Sequence, residues 1–360
     1  MKIKSFVHHS LKRIYEVESI RGHRKKYVKD DLLIKSDKSK ELTHDQKKEI
    51  QEFWNQYYKL SKTEWRWFEI YNNVKNEFNI AYFIPNNIWY QYVDIYFSNP
   101  RKSYAFDDKN LYDLYFNDIK RPKTICRRVN GITMNNNYIP ITNEEAIALC
   151  KRQGYVILKT AKFSEGGKGI EFYNASCDDD SLLQRFLTYK DVTIQEVITQ
   201  HDALSKLHRQ SINTIRIISL FYNNEVKILS SVLRMGIGES KVDNASSGGI
   251  VCGILPNGQL KDYAFDTKGN RYNTSHPNGC RFADIVIPNY SVCLDIVSKL
   301  ACRMNTVSSL ISWDFAVDKD GDPILIEANF TFGEIDFHQL CNGPILGEMT
   351  ENILSAVLKK

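Results

Sequence analysis

A chain of 360 residues with 42% hydrophobic and 25% charged content can bury a large core and has the make-up of an ordinary soluble globular protein, which excludes fibrous and low-complexity classes. Its net charge of +5 gathers at the front, where residues 1–65 carry sixteen Lys or Arg against ten Asp or Glu. Acids interspersed among these bases mark a solvated helical face and not a nucleic-acid surface. The eight cysteines, at 126, 150, 177, 252, 280, 293, 302 and 341, show no C-x-x-C pair and no zinc spacing. No apolar run reaches about 18 residues and no apolar signal follows the basic start, so a reduced cytoplasmic chain without a transmembrane segment is expected.

In chain order, Thr43 is a good N-cap, and Ile50, Phe53, Trp54, Tyr57 and Leu60 recur at helical spacing after it. The aromatic-rich stretch to residue 97 reads as core, so residues 1–104 are expected to be mainly helical. FDDKNLYDLYFNDI is a short helix ended before Pro122, and TICRRVNGITM reads as a strand and turn. A capped helix runs from Thr142 or Asn143 to Gly154. YVILKTA is a short buried strand carrying Lys159, and FSEGGKGIEFYN is a glycine-rich turn between β-favouring residues. A helix over Ser181–Tyr189 and the strand DVTIQEVI follow. Strands dominate from Thr214 to Leu260, broken at RMGIG and DNASSGG, and a helix covers Ser291–Asn305. The pattern is α+β with antiparallel strands.

The stretch WDFAVDKDGDPILIEANF reads as a hairpin. If the loop Lys319–Asp322 closes it, Val317 faces Ile324, Asp314 lies opposite Glu327 with Cβ atoms roughly 5 Å apart, and Asn329 shares their face. Two carboxylates and an amide oxygen converging there are hard-cation ligands suited to Mg²⁺, which would answer their repulsion. A solvated outer face is the other reading. In KTAKFSEGGKG, Lys159 and the backbone of Ser164–Gly169 are a candidate phosphate cradle, although the Walker A spacing is absent and an ordinary glycine hairpin reads the same.

The order of parts resembles the ATP-grasp superfamily: Asp108-Lys109, then Lys159 on a strand before a glycine loop, then TIQEVI, then Asp314 and Glu327-x-Asn329. The biotin carboxylase branch is similar in its Asp-Lys, Ile-Ile-Lys and Glu-x-Asn arrangement. LTHDQKKEIQEFW, FIPNNIWY, TIQEVITQH, SINTIRIISL, DNASSGGI, SHPNG and SWDFAVDKDGDPILIEAN resemble the sugar-transfer-associated ATP-grasp family of capsule and cell-surface polysaccharide gene clusters. The resemblance implies two α+β subdomains clasping ATP after the helical region: a linking segment at 105–150, a small subdomain at 151–200 with lid and hinge, and a large one at 201–360. It implies that Lys109 and Lys159 neutralise ATP phosphates, with Lys123 competing for the first place. Ser164, Gly166, Gly167 and Gly169 would form the lid. Gln195, Glu196, Val197 and Ile198 would hold adenine, and His201 or Asp202 the ribose. Asp314, Glu327 and Asn329 would bind Mg²⁺, and Arg216 would steady a transferring phosphoryl group or acyl phosphate. Arg234, Asn244, His276 and Arg281 are the acceptor-site candidates.

The implied activity is an ATP- and Mg²⁺-dependent carboxylate–amine ligase working through an acyl phosphate. Its partners would be a carboxylate-bearing sugar or glycan precursor and an amine donor, with glycosyltransferases of the same pathway and peripheral contact with a membrane open to it. A phosphotransferase on the same fold and a non-catalytic glycan-binding partner are the rival expectations; retention of both lysines and the full D…E-x-N set argues against the latter.

Overall fold

The computed structural model describes residues 32–74, 78–98, 100–103, 105–162, 169–244, 248–331 and 333–359. Helices occupy the described residues from 32 to 103; residues 1–31 of the region expected to be helical lie outside the described residues. The Thr43 side chain accepts from Gln46 N while the Gln46 side chain reaches back to the cap, starting His44–Trp54. Ser61 and Glu64 do the same for Lys62–Tyr71. The aromatic stripe is core: Trp54, Trp67, Phe68, Tyr71 and Trp89 are all buried.

Two antiparallel sheets follow. The first is built from β1 (Thr124–Val129), β2 (Ile132–Asn135), β3 (Tyr155–Thr160), β4 (Ile170–Asn174) and β5 (Val192–Glu196), in the order β2-β1-β5-β3-β4. Asn130 and Gly131 both have positive φ, which turns TICRRVNGITM into a hairpin where a strand and turn were expected. Thr142 caps the helix Asn143–Gln153 in a capping box, and Gly154 (φ +85°) ends it. That helix and Ser181–Phe186 cover one face through Cys126, Cys150, Val156, Leu158, Leu183 and Ile194. β1, β2 and most of the capped helix come from 105–150, so these residues of the segment expected to link pack with the first sheet. Alternation along β3 turns Lys159 to the opposite face.

The second sheet holds β6 (Thr214–Tyr222), β7 (Glu225–Met235), β8 (Ile250–Ile254), β9 (Leu260–Asp266), β10 (Arg271–Asn273), β11 (Leu310–Val317) and β12 (Pro323–Asn329), in the order β10-β9-β8-β7-β6-β11-β12. Ile215, Ile217, Leu233, Trp313 and Phe315 face the helix Tyr290–Met304. On the other face, Ile218, Leu220, Val232 and Val251 pack against the N-terminal helices and against Asp336–Asn342 and Thr350–Leu358. The Gln339 side chain locks this layer by exchanging two hydrogen bonds of 2.9 Å with the Ile84 main chain. The same face carries Arg216, Arg234, Asp314 and Glu327 beyond the end of that apolar layer.

The hairpin is not closed as expected. Val317 pairs with Pro323, Ala316 with Ile324 and Phe315 with Leu325. A β-bulge then leaves Ile326 without a partner and restores Asp314 opposite Glu327. Asp318 closes a tighter turn over residues 319–321: its N donates to Asp322 O (3.0 Å), and its carboxylate accepts from Asp320 N (3.0 Å) and Asp322 N (2.9 Å), with Gly321 at φ +86°. Lys120 clamps it through Asp318 (2.6 Å) and Asp322 (2.7 Å).

Candidate active site

Main-chain contacts bring the two lysines together. Asp108 caps the short turn Lys109–Leu111, and Lys109 N donates to Ala161 O at 2.9 Å, at the end of β3. Lys162 braces the junction by pairing with Asp108 (3.2 Å) and Asp191 (3.3 Å). Lys159 is buried and its Nζ donates to Gln195 Oε1 at 3.2 Å. Burial and the neighbouring charge of Lys109 push the Lys159 amine down to about 8, so it stays mostly protonated at neutral pH. Lys109 Nζ donates to Glu327 Oε1 at 2.6 Å and so joins the first sheet's side of the cleft to the second's. Lys123, the rival candidate, is exposed, and only its main chain enters the area, pairing with Glu196.

Across the cleft, Arg216 grips Asp314 with two hydrogen bonds of 2.8 Å, from Nε and Nη2, and reaches Glu334 with Nη1 at 2.9 Å. Arg234 approaches the same carboxylate at 3.4 Å and takes Thr214 Oγ1 (3.0 Å) and Asp243 (3.5 Å) as further partners. Burial alone would raise the Asp314 pKa, but the two guanidiniums outweigh it and hold it at about 2. Asp314 raises Arg216 in return, against the effect of burial. Each of the opposed carboxylates thus has its own cation, Arg216 for Asp314 and Lys109 for Glu327. No metal is required to relieve the repulsion read from the sequence.

Does the donor set still fit Mg²⁺? Glu327 is half-buried with one oxygen on Lys109, and Asn329 turns its amide nitrogen to Ser312 O and Asp314 Oδ2 at 3.4 Å, leaving its carbonyl oxygen. These are hard oxygen donors of the kind Mg²⁺ takes while keeping several waters. Asp314 differs from the expectation, because Arg216 engages both its oxygens. Among the described residues no group of three or more His, Cys, Asp or Glu converges as a ready cage.

The other expected residues divide. Ser164, Gly166 and Gly167 lie outside the described residues; Gly169 is exposed, at φ +74°, with its carbonyl accepting from Thr160 N. Gln195 is buried, and its side chain steadies Lys159. β5 ends at Glu196, and the half-buried Val197 and Ile198 leave the ladder before His201 N donates to Val317 O at 3.0 Å on the second sheet. The hinge strand therefore crosses from one sheet to the other. His201 caps the turn Asp202–Ser205 through Nδ1, and Asp202 is exposed. Arg234 joins the Arg216–Asp314 cluster. Asn244 is half-buried and its carbonyl accepts from Gly249 N. His276 closes a turn, with Nε2 on Gly236 O (2.9 Å) and Nδ1 on Asn278 N (3.3 Å), and burial lowers its pKa. Arg281 is exposed in that turn, paired with Ser275. Among the described residues neither His276 nor Arg281 bonds to the carboxylates or to Arg216.

Sequence reading missed Glu334, Asp107, His338 and Arg121. Glu334 follows Glu327-x-Asn329 closely and could have been suspected there. Asp107 stands beside Asp108-Lys109, and burial pushes its carboxyl up to about 6 against the pull of Lys109. His338 is buried near Arg216, and burial drives it down to about 3, so it is neutral; its Nδ1 bonds Ser230 Oγ at 2.8 Å.

Two antiparallel sheets, one offering buried Lys159, the adjacent Lys109 and a hinge strand, the other Arg216 with the carboxylates of Asp314 and Glu327, make a two-sheet clasp for a polyanionic ligand. The chain belongs to the sugar-transfer associated ATP-grasp family, whose profile matches residues 91–355, and the clasp is the ATP-grasp fold. No curated protein matches the chain. Among solved structures it is similar to D-alanyl-alanine synthetase A from Vibrio cholerae O1 biovar eltor (11% identity, 72% of this chain and 68% of that one, TM-score 0.43). It is similar also to the ATP-grasp ligase PsnB complexed with a minimal precursor (14%, 72% and 63%, 0.40). A third is the biotin carboxylase domain of Hydrogenobacter thermophilus 2-oxoglutarate carboxylase (16%, 69% and 44%, 0.42). The chain spans less than two thirds of the latter two, and likeness at this level assigns no activity to it. No described helix is long and apolar enough to cross a membrane.

Proposed function

We propose that the protein is an ATP- and Mg²⁺-dependent carboxylate–amine ligase that modifies a cell-surface polysaccharide precursor on the cytoplasmic side. One observation carries the reading: Lys109 and Lys159 from one side of the cleft meet Glu327, Asp314 and Arg216 from the other, with Lys109 bonded to Glu327 at 2.6 Å. Transfer of a phosphoryl group needs neutralised charge and alignment more than covalent help. The two lysines would supply cations to the phosphates, the hinge at Glu196–Ile198 would offer main-chain groups to the base, and Arg216 would be the planar donor to an acyl phosphate. Mg²⁺, held by Glu327 and Asn329 with Asp314 behind them, would supply further neutralisation of the phosphates.

The substrate carboxylate oxygen attacks the γ-phosphorus and ADP leaves; the amine nitrogen then attacks the acyl carbon and inorganic phosphate leaves. The family's association with sugar transfer favours a uronate-bearing glycan precursor as the acid and a small amine as its partner, with glycosyltransferases working on the same precursor. The experiment is a product balance with ATP, Mg²⁺, candidate uronates and amines. Equal ADP and inorganic phosphate, formed only when both acceptors are present, is the expected result. ADP with the phosphate retained on a sugar hydroxyl would establish a phosphotransferase instead.

A further inference from the structure

Arg121 has no role in the site described so far, yet it is buried inside it. It leads into β1, beside Lys120, whose carbonyl accepts from Leu325 N of β12 at 3.0 Å. Its guanidinium lies 5.3 Å from the centre of the Tyr112 ring, and the Tyr112 hydroxyl donates to Ala328 O of β12 at 3.1 Å. Arg121 therefore lies beside Tyr112 and the start of β12, close enough to Lys159 for its charge to be felt there.

Its bonding is incomplete. The side chain is only 5% exposed, and Nη1 lies 3.1 Å from Asp113 Oδ1 in a charge contact that lacks hydrogen-bond geometry. Nε and Nη1 are buried without a hydrogen-bond acceptor among the described residues. Arg127 holds the better share of the same carboxylate, and its terminal nitrogens also bond Asn110 O and Asn136 O. Buried charged donors left open are costly and point to a missing partner. The local charge gives that partner its sign. Lys109, Lys159, Arg121 and Arg127 face Asp113, Glu327 and Asp107, and burial raises the Asp107 carboxyl to about 6. Arg121 disfavours the charge on Lys159, and burial and Arg127 disfavour its own, a balance that a bound anion would offset.

We propose that Arg121 is a further nucleotide-binding residue, its open guanidinium edge donating to the α-phosphate of the bound nucleotide beside Lys159. The inference rests on the ATP-dependent reading above and adds a phosphate ligand that none of the sequence motifs contains. It is a binding role, and no step of the chemistry passes through it.

The test is calorimetric titration of adenosine, AMP, ADP and ATP into wild type, Arg121→Met and Arg121→Lys. A lost charge-assisted contact weakens binding by about tenfold or more. The methionine variant is expected to lose about that factor for AMP, ADP and ATP alike, because all three carry the α-phosphate, while adenosine binds as in wild type. The lysine variant keeps the charge but not the Nε donor, and is expected to lose about threefold for AMP with adenosine unchanged. It decides alone if the methionine variant does not fold. AMP affinity equal to wild type in either folded variant overturns the proposal and makes Arg121 a structural cation. An equal loss for adenosine overturns it too, placing Arg121 against the base. Wild type that binds none of the four sinks the ATP-dependent reading itself, a result distinct from the other two.

Discussion

Replacing Asp314 with Asn would leave two buried guanidiniums facing one neutral amide. In the wild type both Asp314 oxygens accept from Arg216 at 2.8 Å, and Arg234 stands 3.4 Å away. Removing one partner of a buried pair costs roughly 3–5 kcal/mol, because the other charge stays buried and unpaired. An independent route gives a similar size: a carboxyl held at about 2 where 3.8 is ordinary corresponds to about 2.5 kcal/mol at neutral pH. Urea unfolding followed by tryptophan fluorescence reads the loss, because Trp313 is the adjacent residue on β11. With a slope of about 3 kcal/mol/M, Asp314→Asn should lower the midpoint by about 1 M at pH 7. The sign with pH follows from the depressed pKa. The stabilisation is present above about pH 4 and vanishes as pH falls through about 2, so the two proteins should converge in acid. Adding Arg216→Met to Asp314→Asn should recover part of the loss, since the stranded charge goes with its partner. A single variant within about 0.5 kcal/mol of wild type at pH 7, or a double variant whose loss is the sum of the singles, refutes the account of Asp314 as an arginine-neutralised core charge.

Two further outcomes follow from the lysine side of the cleft. Lys159→Met should stabilise the free protein at neutral pH by up to roughly 3 kcal/mol, because a lysine held at about 8 where 10.5 is ordinary is strained when charged; the gain should disappear between about pH 8 and 10.5 in chemical-denaturation curves, and a variant no more stable than wild type would contradict the desolvation argument. Glu327→Gln should abolish turnover while costing the metal-free fold no more than about 1 kcal/mol, since the Lys109 pair is partly solvated and its loss is offset by relief of opposition to Asp314; wild type alone should gain melting temperature with Mg²⁺ and a non-hydrolysable ATP analogue, and normal turnover in the variant would remove Glu327 from the site.

Much of this was legible before any coordinates, where local chemistry decides the conformation. Thr142 with Glu145, and Gly154 behind them, set both ends of a helix whatever surrounds it, and the alternation around Lys159 set its strand. The expected pairing of Asp314 with Glu327 holds although the turn differs, since Asp318 closes a loop one residue shorter than Lys319–Asp322 and the bulge at Ile326 restores the register. Nothing in a local pattern announces that correction. The ion-pair partners were illegible for a different reason: Glu334 and Arg121 acquire meaning only when distant segments meet, and an arginine in KRPK looks like any solvated base until Tyr112 and Leu325 close over it. His276 shows the opposite case, a residue whose chemistry invites a functional role and whose two ring nitrogens are spent on holding a turn.

The bulge at Ile326 has a consequence for how the hairpin can vary. One residue fewer in the turn than a four-residue loop and one residue more in the strand are offsets of opposite sense, and they cancel before the ladder reaches Glu327. Pro323–Leu325 can therefore be ruled by the turn, with Leu325 in the core, while Glu327 and Asn329 are ruled by their pairing with Asp314 and Ser312. The tip can thus grow to a four-residue loop by taking up the residue bulged at Ile326 without carrying the carboxylates to the wrong side of the sheet, so the register at Glu327 does not depend on which of the two turns forms.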